Sequence, residues 1–182
     1  MYATIRIVSV AMAVLTSLGA GPALAQHGGH GHGDHAGQGG TTPHARAEAC
    51  SREFEAVIAD GRGFGMAFAA DQHGYPGPLH VLELKERLGL TSAQETQMRA
   101  LREAMFAESR PKSARLLASE ARLRALFGAG GVDEAAVRAA VAEVEVTRRE
   151  VRLVHLLTHV RTRALLTEAQ IAAYTEVRWP AR

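Results

Sequence analysis

Cysteine is nearly absent from this sequence, which contains only Cys50 among its 182 residues. A single cysteine cannot form a disulfide within the chain, so packing alone must hold the fold. The thiol can be a small, partly buried side chain, can pair with another subunit, or can bind a metal as a thiolate. These three roles stay open at the level of the sequence.

A strong charge of either sign is also missing. Lysine and arginine number 21 against 19 aspartates and glutamates, a formal net charge of +2. The chain therefore has no overall basic field to attract nucleic acid, and no nucleic-acid partner is expected. Five arginines late in the chain form either a binding face for acidic or unfolded partners or a solvated helix face: Arg148, Arg149, Arg152, Arg161 and Arg163.

Motifs of the common enzyme classes are not found. The sequence contains no Gly-x-Ser-x-Gly, no His-Glu-x-x-His and no nucleotide-binding loop, since the glycines at residues 61–65 are not followed by Lys-Ser or Lys-Thr. We therefore predict that the protein is not an enzyme.

Long apolar runs are confined to the N-terminus, where Arg6 precedes the almost wholly apolar residues 7–18. This run is shorter than the roughly 20 residues that a membrane-spanning helix needs. Glycines and a proline end it, and Ala23-Leu24-Ala25 has the small-x-small pattern of a signal peptidase site. We predict that residues 1–25 are a signal peptide cleaved after Ala25, so that the protein is exported; an N-terminal membrane anchor is the alternative.

Residues 26–46 are rich in glycine and histidine. Such a composition cannot bury enough apolar surface to fold, so we predict a disordered tail. Histidine-rich tracts also bind divalent transition metals. The candidate tail ligands are His27, His30, His32, His35 and His44.

The remaining residues, 47–182, read as one helical domain, because no alternating strand pattern occurs in them. We predict helices over about 47–59, 79–88, 91–127, 133–165 and 167–177, with Pro111 kinking or splitting the third. The two long helices are joined by glycines at residues 128–131. The sequence thus predicts an all-α fold of four to five helices, built on a long antiparallel helical hairpin.

One five-residue pattern occurs twice, each time at a predicted helix start. The first copy is Leu90-Thr91-Ser92-Ala93-Gln94 and the second is Leu166-Thr167-Glu168-Ala169-Gln170. In each, the threonine hydroxyl can cap the helix and the glutamine can reach back to the N–H of the capping residue. We therefore interpret both copies as structural caps.

His155 and His159 are four residues apart on the second long helix, so their side chains share one face. Two imidazoles at this spacing can hold one metal ion. By helical count the same face carries an apolar stripe that should face the partner helix: Val137, Val141, Val144 and Val151. The pair is either a metal site or two packed, hydrogen-bonded side chains, since burying unsatisfied rings is costly.

The two Leu-Thr-x-x-Gln copies, flanking a helical hairpin in an exported chain, resemble the LTxxQ group. This is the Spy/CpxP family of periplasmic stress proteins, with zinc-associated and heavy-metal-sensing relatives. Residues 61–84 also look like the metal-sensor-type members. The resemblance implies four or five helices, a cradle-like homodimer, a periplasmic location and no catalysis.

The resemblance also implies a ligand set. In the metal-sensing branch, ligands come from histidines early in the domain, from a carboxylate, and from a pair just before the second motif. His155 and His159 match that last pair. His80 stands at the end of the hairpin where the resemblance places the early ligands. The early pair is not matched, however, because Leu84 occupies the position four residues after His80. The candidate completing ligands are His80, Glu83 and Glu103.

These observations predict a periplasmic protein that binds a divalent transition metal, Zn, Ni, Co or Cu, in heavy-metal sensing or metal-stress protection. Its partners would be a second copy and a membrane-bound signalling protein. The alternative is an ATP-independent chaperone that holds unfolded clients, with the histidines incidental. In a third interpretation only the tail binds metal, as a buffer.

Overall fold

The computed structural model describes residues 42–180, and every regular element in that range is an α-helix. The helices are α1 (Pro43–Ala59), α2 (Phe68–Asp71), α3 (Pro78–Glu83), α4 (Lys85–Leu88), α5 (Ser92–Ala129), α6 (Glu134–Arg163) and α7 (Glu168–Arg178). The predicted all-α class is confirmed. The helix count is higher than predicted because residues 79–88 divide at Leu84 into α3 and α4, and because α2 is one extra turn. None of the described helices has the length and apolar character needed to cross a membrane.

The first helix begins at Pro43, four residues before the predicted start. The Thr42 side chain accepts a hydrogen bond from the N–H of Ala45 at 3.2 Å. Proline at the first helical position costs nothing, since its missing N–H would have had no partner within the helix. His44, predicted as a tail ligand, therefore lies on α1. The predicted signal peptide and the tail histidines His27, His30, His32 and His35 lie outside the described residues.

The long helices α5 and α6 pack side by side and run antiparallel. Ser119 of α5 lies 2.9 Å from Thr147 of α6, hydroxyl to hydroxyl, whereas Ser109 contacts His155 further along. Residue numbers thus rise along α5 as they fall along α6. The turn between them uses Gly130 and Gly131, whose φ angles of 72° and 65° are in the left-handed region that glycine adopts readily.

Pro111 does not split α5, which is one helix of 38 residues. A proline inside a helix removes one backbone hydrogen bond and crowds the preceding turn. Ser109 and Ser113, on either side of it, are both fully buried, and α6 is the main neighbour of α5. Packing along the hairpin therefore outweighs the local cost of the proline.

Two apolar clusters form the core. The first joins α1 to the middle of the hairpin and contains Ile58, Leu116, Val144 and Val151. The second lies where α3, α4, α5 and α7 meet and contains Val81, Leu88, Met98 and Tyr174. The segment between α1 and α3, residues 60–77, lies against α6 of the hairpin; we call it the glycine-rich segment.

The two Leu-Thr-x-x-Gln motifs meet at the second cluster. In each, the threonine side chain accepts from the glutamine N–H at 3.2 Å and the glutamine carbonyl accepts from the threonine N–H at 3.0 Å, so both predicted capping boxes are confirmed. The two glutamine side chains also bond to each other. The amide of Gln94 donates to Gln170 at 2.9 Å, and that of Gln170 donates to Gln94 at 3.1 Å.

Each amide of this glutamine pair has a further partner. Gln94 donates to the backbone carbonyl of Leu165 at 2.9 Å, and Gln170 donates to that of Leu88 at 3.3 Å. Every amide hydrogen and oxygen in the pair is therefore satisfied. The motifs do more than cap their own helices, because they join the start of α5 to the start of α7.

Replacing Gln94 by glutamate tests the pairing separately from the cap. The new carboxylate keeps an oxygen for the N–H of Thr91 but cannot donate to Gln170 or Leu165. We expect Gln94→Glu to lower the free energy of unfolding by about 1–3 kcal/mol, the cost of leaving two partly buried acceptors unpaired. Urea denaturation at neutral pH measures this. Gln97→Glu, an exposed change on the same helix, is the control; equal stability of the two variants would contradict the pairing.

Candidate metal centre beneath the glycine-rich segment

The histidine pair lies on the buried face of α6. His155 is 5% exposed and His159 is 8% exposed. Val144 and Val151 of the predicted stripe are buried with them. Val141 was expected on the same face, but it is 42% exposed. Val141 and His159 are five helical turns apart and point the same way; His159 is buried because the glycine-rich segment covers it.

Glycines of that segment touch both imidazole rings. A Cβ added to Gly63 would lie 2.8 Å from Cγ of His155, and one added to Gly77 would lie 2.9 Å from Nε2 of His159. Real Cβ atoms do not approach so closely. The sequence showed that glycines 61–65 do not form a phosphate loop but gave no reason for them. The structure supplies one for Gly63 and Gly77: they let backbone lie directly against the two rings.

Hydrogen bonds fix the orientation of both rings. Nδ1 of His159 donates to the backbone carbonyl of Tyr75 at 2.7 Å. The ring of His155 lies against the backbone at Gly63, and its Nε2 lies 3.3 Å from the hydroxyl of Ser109 on α5. The rings are thus held by the backbone of the glycine-rich segment on one side and by a hydroxyl of the hairpin on the other.

Burial keeps the pair neutral. It lowers the pKa of His155 to about 4, and the nearby His159 adds to the effect. Burial also lowers the pKa of His159, and His80 contributes in the same direction, against the opposing influence of the Tyr75 carbonyl and of Asp71. Both imidazoles therefore carry an unprotonated nitrogen at neutral pH, which is the form that binds metal.

A cavity of about 380 Å³ opens beside the pair. His155, His159 and His80 line it, and its polar lining also includes Arg62, Asp71 and Arg178. The apolar lining is dominated by aromatic rings and thioethers, namely Phe64, Met66, Phe68, Met105, Phe106 and Trp179. This volume suits an ion with its ligands or a small molecule.

The predicted completing ligands are placed unequally. His80 lines the cavity, and its Nδ1 lies 3.0 Å from Oε2 of Glu83. Glu103 does not line it: its side chain is 64% exposed and pairs with Arg102 at 2.6 Å. Within residues 42–180, no three or more His, Cys, Asp and Glu side chains form a group that could hold a metal. Cys50 is exposed on α1, and the exposed His44 lies 3.1 Å from Glu48.

A buried network that the sequence did not reveal holds the glycine-rich segment in place. The hydroxyl of Tyr174 on α7 donates to Asp71 at 2.6 Å, and burial together with this bond raises the pKa of the phenol. Arg163 donates to the carbonyl of Gly74 at 2.9 Å and lies over the Tyr75 ring. Asp71 and Arg163 gave no sequence signal beyond their charge, because their partners are 103 and 89 residues away in the chain.

The predicted arginine face is only partly free. Arg163 is committed to the glycine-rich segment, and Arg148 pairs with Glu120 at 2.5 Å and lies over the Phe54 ring. Arg149, Arg152 and Arg161 are exposed on α6. Two of the five arginines therefore tie parts of the fold together, and three remain on the surface.

Comparison with protein-family models identifies the class. Residues 79–178 match the LTXXQ motif family, so the chain belongs to this family of Spy/CpxP and ZraP-like periplasmic proteins, which are not enzymes. The match begins at α3 and includes both motifs and the histidine pair. No curated protein and no solved structure matches the chain.

The contact between glycines and imidazoles yields a stability prediction. We expect Gly63→Ala and Gly77→Ala each to lower the free energy of unfolding by about 1–3 kcal/mol, because the added methyl group forces the ring out of its place. Gly128→Ala, in α5 with nothing within 4 Å of the new Cβ, is the matched control and should be neutral or stabilising. Thermal denaturation followed by circular dichroism compares the three. If all three behave alike, the close packing on the rings is wrong.

Proposed function

We propose that this protein binds a transition metal ion through His155 and His159 and acts in metal sensing or metal-stress protection in the periplasm. One observation carries the proposal: two neutral imidazoles, one helical turn apart, line the same cavity. Metal-binding histidines commonly donate one ring N–H to a backbone carbonyl, which leaves the other nitrogen for the metal. His159 has this arrangement with Tyr75.

The surroundings of His155 are compatible with the same role. Its Nε2 lies near the hydroxyl of Ser109, which can donate to it when no metal is bound and can rotate away when one is. His80 lines the cavity from α3 and contacts Glu83 through Nδ1, but it does not form a three-ligand group with the pair. The tail histidines would add sites of their own and must be silenced in any test.

The test uses a full chain in which the four tail histidines, His27, His30, His32 and His35, and His44 of α1 are replaced by glutamine. We expect this tail-silent protein to bind one metal ion by calorimetry with zinc, nickel, cobalt or copper. Replacing His155 and His159 together by asparagine should abolish binding while the helix content stays. His73→Asn, at an exposed histidine outside the cavity, should bind as before.

The pH dependence separates the buried site from exposed ones. A site of exposed histidines loses metal as the pH drops through about 6.5, the ordinary pKa of histidine. Since burial lowers the pKa of His155 to about 4, protons compete with metal at this ring only at lower pH. The tail-silent protein should therefore retain its metal at about pH 5.5. Absence of binding, or binding unchanged in the double variant, contradicts the proposal.

A second candidate function, the binding of another protein, rests on the face of α6 opposite the histidine pair. Four side chains there are about half exposed, at 47–53%: Val146, Leu153, Leu157 and Val160. By helical count they lie within roughly 60° of one another, so they form one stripe, which we call the outer stripe. An exposed apolar stripe of this kind is typical of a protein-binding surface. An unfolded client or a second copy of the chain can cover it.

We propose that a second copy covers the outer stripe. If two α6 helices pack antiparallel, one register places Val146 opposite Leu153 of the other copy and Ala142 opposite Leu157. The same register sets Arg149 against Glu150, so large side chains meet small ones and opposite charges meet. The alternative is the chaperone function, in which the outer stripe holds unfolded clients.

The oligomeric state tests the outer stripe. We expect the wild-type protein to sediment as a dimer and Leu153→Glu to sediment as a monomer with its helix content unchanged, because a charge in an apolar seam is costly to bury. Phe127→Glu, at a residue 61% exposed near the end of α5, should remain dimeric. A monomeric wild type would contradict the dimer. If that monomer suppresses aggregation of an unfolded protein without ATP and Leu153→Glu does not, the chaperone function is supported.

A further inference from the structure

We infer that the ion held by His155 and His159 is monovalent copper, bound with the thioethers of Met66 and Met105. This inference rests on the proposed metal function and names the class of ion that the same site selects. Its basis is the set of donors that share the cavity with the two imidazoles. Apart from residues 1–25, the sequence has three methionines, at positions 66, 98 and 105, and two of them line this cavity.

Met105 lies level with the histidine pair across the hairpin. Ser109 of α5 contacts His155 of α6 at 3.3 Å. Because the two helices are antiparallel, the residue one turn before Ser109 faces the residue one turn after His155. Those residues are Met105 and His159. Met105 is 8% exposed, so its thioether lies inside the fold beside the cavity and away from the surface.

Met66 reaches the cavity from the glycine-rich segment. Its N–H donates to the carbonyl of Gly63 at 2.8 Å, in the turn whose glycine lies against the ring of His155. Met66 therefore lies three residues from the glycine that contacts the His155 ring, and its side chain packs against the first core cluster while lining the cavity. The two methionines line the cavity of the histidine pair from two different elements, the glycine-rich segment and α5.

The chemistry of these donors favours a soft ion of low charge. Thioether sulfur is a soft ligand that selects monovalent copper, whereas imidazole accepts zinc, nickel and copper alike. All four donors are neutral, and aromatic side chains make up much of the remaining wall. The lining also contains the cations Arg62 and Arg178. A divalent ion would add two uncompensated positive charges beside them and a monovalent ion only one, so the monovalent ion costs less to bury. The one carboxylate of the lining, Asp71, already accepts from Tyr174 and lies 4.0 Å from Arg178.

The experiment compares monovalent copper with zinc on the tail-silent full chain. Copper is supplied anaerobically from its complex with bicinchoninate, whose colour reports how much copper the protein removes. We expect the double variant Met66→Leu/Met105→Leu to lose at least about tenfold in affinity for monovalent copper, and to bind zinc as before, because both imidazoles remain. Leucine preserves the side-chain volume, so the fold should be kept.

Met98→Leu is the matched control. Met98 is fully buried in the second core cluster and does not line the cavity, so its replacement should leave copper binding unchanged. X-ray absorption of the copper-loaded protein should show sulfur neighbours that disappear in the double variant. Copper affinity that is equal in the double variant and in Met98→Leu overturns the inference and leaves the histidine site standing. If replacing His155 and His159 leaves the binding of both zinc and copper unchanged, the copper inference and the proposed metal function are both overturned.

Discussion

The reciprocal amide bonds between Gln94 and Gln170 are the constraint on which the site depends. They join the start of α5 to the start of α7 and so place α7 beside the end of the hairpin. From α7, Tyr174 reaches Asp71 and holds the glycine-rich segment. That segment in turn covers His155 and His159. A polar pair of this kind is stabilising only when every donor and acceptor is used, and here each one is.

The glycine-rich segment satisfies two demands at once. It has to exclude water from two imidazoles without leaving them unpaired, since an unsatisfied buried ring costs free energy. The carbonyl of Tyr75 pairs with His159, the hydroxyl of Ser109 on α5 pairs with His155, and glycines let the backbone come close enough to exclude water. The same contacts hold the rings neutral and fix their orientation. Burial of the two rings is therefore compatible with metal binding, because a metal-binding histidine normally donates its other ring N–H to a neighbouring group.

Helix α6 is apolar on two opposite sides. One side packs on α5 and under the glycine-rich segment, and the other is the outer stripe. A helix with two apolar faces needs two partners, of which residues 42–180 provide one. In the function proposed above, the inner face holds a metal ion and the outer face contacts protein. In this arrangement one helix connects the two surfaces directly.

The helical class, the hairpin and the two capped helix starts could all be predicted from the amino-acid sequence. They follow from local rules: apolar side chains at helical spacing, threonine and glutamine three residues apart, and glycines at the turn. The sequence also singled out His155 and His159, because a spacing of four places two side chains on one face. Three features differ in detail from the sequence expectations: Val141 is exposed, α1 begins at Pro43, and of the two outcomes expected at Pro111 the split does not occur. Tertiary cover, a cap and packing along the hairpin determine these features.

The surroundings of the histidines, in contrast, became visible only in the folded chain. Folding brings His80, Met66 and Met105 to one cavity, leaves Glu103 on the surface, and creates the glutamine pair and the bond from Tyr174 to Asp71. The partners in these last two contacts are 76 and 103 residues apart in the chain. Local sequence patterns carry no information on which distant elements will meet, since that depends on how the whole set of apolar faces is buried together.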